Sequence, residues 1–215
     1  MPSVRIQCIG VSLDGFASGE GQNIDAPFGH AGGRLLAWFT ATQGFRQLQG
    51  MEGGVTNADD PFATLWMHRV GAEIMGRNMF GPQRGPWEDL TWEGWWDENP
   101  PYHHPVYVLT HHPRPSIEME GGTTFHFLDA SPAEALAVAQ EAAGDLDVRI
   151  SGGPHTIRQF LAADLVDYLH VVIVPIVLGR GEPLWEGLEG LEDRFDLEAV
   201  STPSGVTHLV GNRRR

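Results

Sequence analysis

Asp147-Val148-Arg149-Ile150-Ser151-Gly152-Gly153-Pro154-His155-Thr156-Ile157 decides the architecture, because it reads as a strand running directly into a glycine turn and then a helix. The strand occupies 147–151, and Ile157, Phe160, Leu161 and Leu165 give the helix its apolar stripe. The same order occurs upstream, where Ala72-Glu73-Ile74-Met75 is a short strand ending in Gly76-Arg77-Asn78-Met79-Phe80-Gly81, a tight turn that opens a short helix. Segment 4–12 alternates apolar and polar residues as a strand does and stops at Asp14-Gly15. Val106-Tyr107-Val108-Leu109-Thr110 is a continuous apolar run of buried-strand length, closed by His111-His112-Pro113-Arg114-Pro115, and 123–128 is a further strand. Ser131 and Glu134 form a capping-box pattern at the head of an alanine-rich helix that runs through Ala143 and stops at Gly144. The run 168–178 is a long apolar strand interrupted by Pro175, and 195–210 reads as two strands joined by Thr202-Pro203-Ser204-Gly205. Strands alternating with helices predict an α/β fold with a mostly parallel central sheet, flanked by helices and extended at one edge by a C-terminal antiparallel hairpin.

The remaining segments connect these units. Residues 18–33 are rich in Gly, Asn, Asp and Pro, which predicts a long mobile surface connection before a short aromatic segment at 35–45. Asp59-Asp60-Pro61 precedes Phe62, Leu65, Trp66, Arg69 and Val70, a spacing that predicts a helix over 61–70. Between 82 and 105 the chain carries Trp87, Trp92, Trp95 and Trp96 among Glu, Asp and Pro, as expected of an ordered loop without a regular element. Its rings are read first as packing material and second as a wall for a planar ligand.

Composition narrows the function. The 215 residues carry 28 acidic and 14 basic side chains, a net charge of -14, and 41% hydrophobic residues, which fits one ample acidic domain over 1–215. Nucleic acid is disfavoured as a partner, since the basic run is confined to Arg213-Arg214-Arg215. No long uncharged apolar run and no leader pattern are present, and the single Cys8 forms no internal disulfide, so a cytoplasmic protein acting away from membranes is expected.

Two glycine turns at strand ends are candidate anion sites, because helix N-termini present unpaired N–H groups and glycine lets a ligand approach the backbone. They comprise Gly76, Arg77 and Asn78 in one, and Gly152, Gly153 and Thr156 in the other. Neither has the G-x-G-x-x-G or Walker spacing. Arg77 suits bidentate contact with phosphate, and Thr110, His111 and Arg114 follow a buried strand at the end where open α/β sheets bind ligands. His103-His104 and His111-His112 are read as solvated loop pairs lacking a third ligand of suitable spacing, so no metal site is expected. Asp59 and Asp60 stand where a helix cap is needed, and a carboxyl group buried beside Trp66 is also suited to holding or relaying a proton. Asp14 and Ser12, at the end of the first strand, have the same double reading as turn residues or substrate contacts. No G-x-S-x-G elbow exists and Cys8 lies within a strand, which disfavours nucleophilic catalysis.

Val11-Ser12-Leu13-Asp14-Gly15-Phe16, Met75-Gly76-Arg77-Asn78-Met79-Phe80, the strand at 106–110 and Ile150-Ser151-Gly152-Gly153 together resemble the dihydrofolate reductase-like superfamily, in particular its riboflavin-biosynthesis reductase domain. Gly179-Arg180-Gly181-Glu182-Pro183-Leu184-Trp185 after the apolar strand is similarly placed, so the resemblance covers nearly the whole chain. The resemblance implies a three-layer reductase fold that binds NADPH. It implies pyrophosphate at Gly76-Arg77 and Gly152-Gly153, adenosine phosphate near Thr110, His111 and Arg114, and a cis peptide between the paired glycines. Asp60 or its neighbour Asp59 takes the place of the helix-borne acid, with Asp14 as the opposing catalytic candidate. Ser12, Asp59 and Trp66 would touch substrate, and the insertion at 18–56 would cover the cleft. The expected activity is hydride transfer to the C=N or C=O of a small planar heterocycle such as a pterin or pyrimidine. Alternatives are reduction of non-pteridine carbonyl or quinone compounds, or a non-catalytic cofactor-binding role. The family habit implies a homodimer. Neither H-x-E nor P-C-x-x-C, the motifs of the zinc deaminase domain often fused to such reductases, occurs in these residues, so no deaminase step is expected of them.

Overall fold

The structure, a computed structural model, describes residues 2–214. Its strands are β1 (Val4–Ser12), β2 (Phe16–Ser18), β3 (Val70–Gly76), β4 (Pro105–Leu109), β5 (Ile117–Glu118), β6 (Thr124–Leu128), β7 (Asp147–Gly152), β8 (Tyr168–Val174), β9 (Glu182–Pro183), β10 (Phe195–Ser201) and β11 (Thr207–Arg213). The α-helices are α1 (Ala37–Thr40), α2 (Gln43–Leu48), α3 (Asp60–Thr64), α4 (Arg77–Phe80), α5 (Pro132–Ala143) and α6 (Pro154–Ala162). Among the described residues, no helix is long and apolar enough to cross a membrane.

Among the described residues, nine strands form one sheet in the order β10-β11-β8-β1-β7-β3-β4-β6-β5. The strands from β8 to β6 in that order run parallel, while β5 pairs antiparallel with β6 at one edge and the β10–β11 hairpin joins β8 antiparallel at the other. The predicted hairpin turn closes through Gly205 N–H to Thr202 O at 3.0 Å.

Three layers follow from where the apolar side chains fall. One face of the sheet packs Ile6, Ile74, Val148 and Ile150 beneath Ala135, Ala139, Ile157 and Phe160 of α5 and α6. The opposite face packs Cys8, Val172 and Val174 against Leu35, Trp38, Phe39 and Ala63. Next to this, Val106, Val108, Phe125 and Phe127 are covered by Phe80, Tyr102, Trp87, Trp92 and Trp96. The segment between α4 and β4 therefore works mainly as packing, and it contains no regular element, as its composition predicts. The capping box at Ser131 is present, with Ser131 Oγ accepting from Glu134 N–H and the Glu134 carboxylate accepting from Ser131 N–H.

Some expectations are corrected. The helix predicted over 61–70 is only the five residues of α3. The chain turns at Arg69, which has φ +60°, and Val70 enters β3, all of whose residues are buried. The sheet thus claims residues whose spacing also suited a helix. The long apolar strand ends at Val174 because Pro175 has no N–H for the ladder. Residues 35–45 include α1 and the start of α2.

Candidate functional site

A cleft of about 1320 Å³ opens at the carboxyl ends of the central parallel strands. Gly76, Arg77, Asn78, Thr110, His111, Gly152, Gly153, Thr156 and Trp66 all line it, so the structure brings most of the sequence-selected binding residues to one place. Gly152 and Gly153 are joined by a cis peptide bond. Gly153 is the N-cap of α6, no acidic residue lies in that helix's first turn, and the space beside its Cα is open. A side chain at Gly76 would overlap Thr156 Oγ1, so glycine is required for the two turns to meet.

Arg77 lies over the Trp87 ring, 3.7 Å from its centroid, and donates through Nη1 to Gly85 O. Its Nε and Nη2 are buried without a hydrogen-bond partner among the described residues. Burial, followed by the neighbouring Arg84 and Arg114, lowers its pKa from the usual arginine value. Arg84 also lines the cleft, which makes this end cationic within an acidic protein. Arg114 does not line it; its guanidinium donates to Trp92 O and Leu90 O and holds the tryptophan-bearing segment in place. His111 sits at the rim, 92% exposed, with Nδ1 2.9 Å from Asp129 Oδ1.

The four remaining candidates lie outside the cleft lining. Asp14 accepts from Ser12 Oγ at 2.6 Å and from the N–H groups of Leu178 and Gly179 at 3.1 and 2.6 Å, pinning the end of β1 to the loop after β8. The Ser12 bond, followed by these backbone bonds, outweighs burial and lowers its pKa to about 2. Asp60 accepts from Gly44 N–H at 2.6 Å and joins α3 to α2. Asp59 is fully buried against β11, where its Oδ1 stands 3.0 Å from His208 Nε2. Burial works to raise the Asp59 pKa, but hydrogen bonds from Thr202, His208 and Ser204 hold it below the usual carboxylate value.

Asp59 ends a buried chain. Cys8 N–H points to His170 Nδ1 at 3.3 Å, and His170 Nε2 lies 3.0 Å from His208 Nδ1. A backbone N–H only donates, so His170 accepts at Nδ1, donates from Nε2, and leaves His208 donating from Nε2 to Asp59. Phe62 stacks on His208 with ring centroids 3.9 Å apart. Cys8 lines the cleft, but burial pushes its thiol up to about 12, which leaves it protonated and unreactive.

At the inner end lies an ion pair that sequence reasoning did not single out. Arg149 on β7 and Glu73 on β3 are register partners, both completely buried. Arg149 Nε donates to Glu73 Oε2 at 3.0 Å and Nη2 to Oε1 at 2.7 Å. Burial works to raise the Glu73 pKa, but Arg149 and His104 hold it below the usual carboxylate value. The guanidinium lies 4.3 Å from the Trp66 ring centroid, and Arg149 and Tyr102 line the cleft. The available signal was opposite charge in the middle of two otherwise apolar strands, Ala-Glu-Ile-Met and Val-Arg-Ile-Ser.

Residues 2–209 match the family model described as the RibD C-terminal domain. Similar solved structures include a protein assigned to riboflavin biosynthesis in Shewanella sp. PV-4, with 24% identity, a TM-score of 0.61 and full coverage of both chains. A pyrimidine reductase-like protein from Corynebacterium diphtheriae has 17% identity and a TM-score of 0.53, over 100% of this chain and 92% of that one. The third is a diaminohydroxyphosphoribosylaminopyrimidine deaminase/5-amino-6-(5-phosphoribosylamino)uracil reductase from Thermotoga maritima, with 12% identity and a TM-score of 0.54. That match covers 99% of this chain and 57% of the Thermotoga chain. No curated protein matches. The fold is the dihydrofolate reductase-like one that the ordered motifs led us to expect.

Proposed function

Since the chain belongs to the RibD C-terminal domain family, we propose that it is an NADPH-dependent reductase of a small planar ring compound. The observation that carries this reading is the pairing of Arg77, with two buried unpartnered nitrogens, and the Gly152-Gly153 turn in one cleft at the strand ends. These residues fit a dinucleotide phosphate. Arg77 offers charge and spare donors, the Gly153 backbone is open to close approach, and Thr156 adds a hydroxyl. Arg84 beside Arg77, with Arg114 behind them, supplies the positive charge that favours the additional phosphate of NADPH over NADH. A bound reduced nicotinamide supplies the hydride. The chain's own part is to fix phosphate at the outer end, present an aromatic wall with Trp66 at the inner end, and exclude water beneath residues of the 18–56 insertion. In this reading Asp14 and Asp60 shape the walls through their backbone bonds, instead of relaying a proton.

Titration of the protein with NADPH and NADH, followed through tryptophan fluorescence, tests the reading. NADPH is expected to bind more tightly than NADH, and Arg77→Ala to weaken NADPH by about tenfold or more, the worth of a charge-assisted hydrogen bond. Failure of the wild type to bind either nucleotide, or an unchanged affinity in Arg77→Ala, contradicts it.

A further inference from the structure

Arg149 stands three residues before Gly152 on β7, about 10 Å further along the strand at ~3.3 Å per residue. Its side chain is 1% exposed, and while Glu73 engages Nε and Nη2, Nη1 is buried with no hydrogen-bond partner among the described residues. Proteins rarely leave a buried cationic N–H without an acceptor, and this one belongs to a residue that lines the cleft.

The surroundings define the acceptor. Glu73 already neutralises the guanidinium, so a carboxylate or phosphate arriving here would put a second anion beside a buried carboxylate. The nearby walls are aromatic. Phe39 and Phe45 lie 5.3 and 6.4 Å from Trp66, and Trp96 lies 5.0 Å from Tyr102. Of the polar groups nearby, Ser151 Oγ is spent on Ile74 O and Cys8 Sγ on Phe62 O. The acidic residues lining the cleft, Glu20, Asp129 and Glu182, come from the loop after β2, the end of β6 and β9. None stands on β3 or β7 to receive the paired N–H groups of an amidine-bearing ring.

Building on the reductase reading, we infer that the inner cleft is a subsite for an uncharged flat ring bearing a carbonyl oxygen, with that oxygen accepting from Arg149 Nη1. A cyclic ketone, quinone or lactam has this chemistry; a pterin also offers a ring carbonyl, but its amidine edge would meet no carboxylate among the cleft-lining residues of β3 and β7. Hydride addition at the carbonyl carbon forms a C–H bond and sends the C=O π pair to oxygen, which keeps its hydrogen bond from Nη1 and is protonated as the charge develops, so that no full second anion stands beside Glu73. The reduced nicotinamide dinucleotide gives up two electrons with the hydride and leaves oxidised, and water supplies the proton that completes the alcohol.

Calorimetric titration with 1-indanone, indane and 1-indanecarboxylate tests the subsite, alongside NADPH as a separate ligand. Wild type is expected to bind 1-indanone at least about tenfold more tightly than either comparator. Arg149→Lys and the paired variant Glu73→Leu with Arg149→Met are expected to lose that preference while binding NADPH as wild type does. Lysine keeps the charge opposite Glu73 without the fork that leaves one nitrogen free, and the paired variant leaves no lone buried charge. The inference is overturned if wild type does not discriminate among the three probes, or if either folded variant keeps the preference. If NADPH fails to bind but the 1-indanone preference persists and depends on Arg149, the subsite stands and the reductase reading falls.

Discussion

Replacing Glu73 by alanine will lower the unfolding free energy by about 3–5 kcal/mol, the cost of leaving a buried cation without its partner. Arg149 makes bidentate contact with Glu73, both side chains are buried, and their strands are central in the sheet. Arg149→Met alone is expected to cost a similar amount, since it strands the carboxylate instead. The paired variant Glu73→Leu with Arg149→Met should be much closer to wild type than the sum of the single losses, because an apolar pair of similar volume replaces the desolvated charges. Urea unfolding of the four proteins measures this directly. A Glu73→Ala protein within about 1 kcal/mol of wild type would show that water or another anion compensates the stranded guanidinium, contrary to the burial described.

Acid will destabilise the protein well above the range in which carboxylates titrate. His170 is buried in the chain from Cys8 to Asp59, and burial, followed by the proximity of His208, lowers its pKa from 6.5 to about 3. Its folded-state pKa is below its unfolded value, so between those values the unfolded chain binds the extra proton and stability falls as pH falls. From pH 7 to pH 5 the loss from this group is about 2 kcal/mol, at ~1.4 kcal/mol per pH unit once the unfolded histidine is charged. Asp59, whose pKa is depressed, contributes its own loss only below its unfolded value of 3.8. Unfolding free energies at pH 7, 6 and 5 should therefore decline, and His170→Gln should flatten the decline even though it lowers stability at pH 7. Equal slopes for the two proteins would contradict the assignment.

Most of the sheet was legible because its strands are short apolar runs bounded by Gly, Pro and paired polar residues, each read from local sequence. The 61–70 segment was misread because Phe62, Leu65 and Trp66 also suit helical spacing, and only pairing of Val70 opposite Asp147 decides against it. The glycine turns were legible as turns because strand, glycine and helix are adjacent in sequence, and both line the cleft. The carboxylates were harder. Asp14, Asp59 and Asp60 sit beside the right elements, but their direction depends on Leu178, His208 and Gly44, partners distant in sequence for the first two. The Arg149–Glu73 pair joins residues 76 positions apart, so its function depends on strand order and not on either local sequence.

The most direct measurement is a crystal structure of the protein grown with saturating NADP+. The account predicts phosphate density against Arg77 and the Gly153–Thr156 turn, with the nicotinamide directed toward the wall formed by Trp66 and Arg149. Nucleotide bound elsewhere, or a cleft without nucleotide in an otherwise well-ordered crystal, would contradict it.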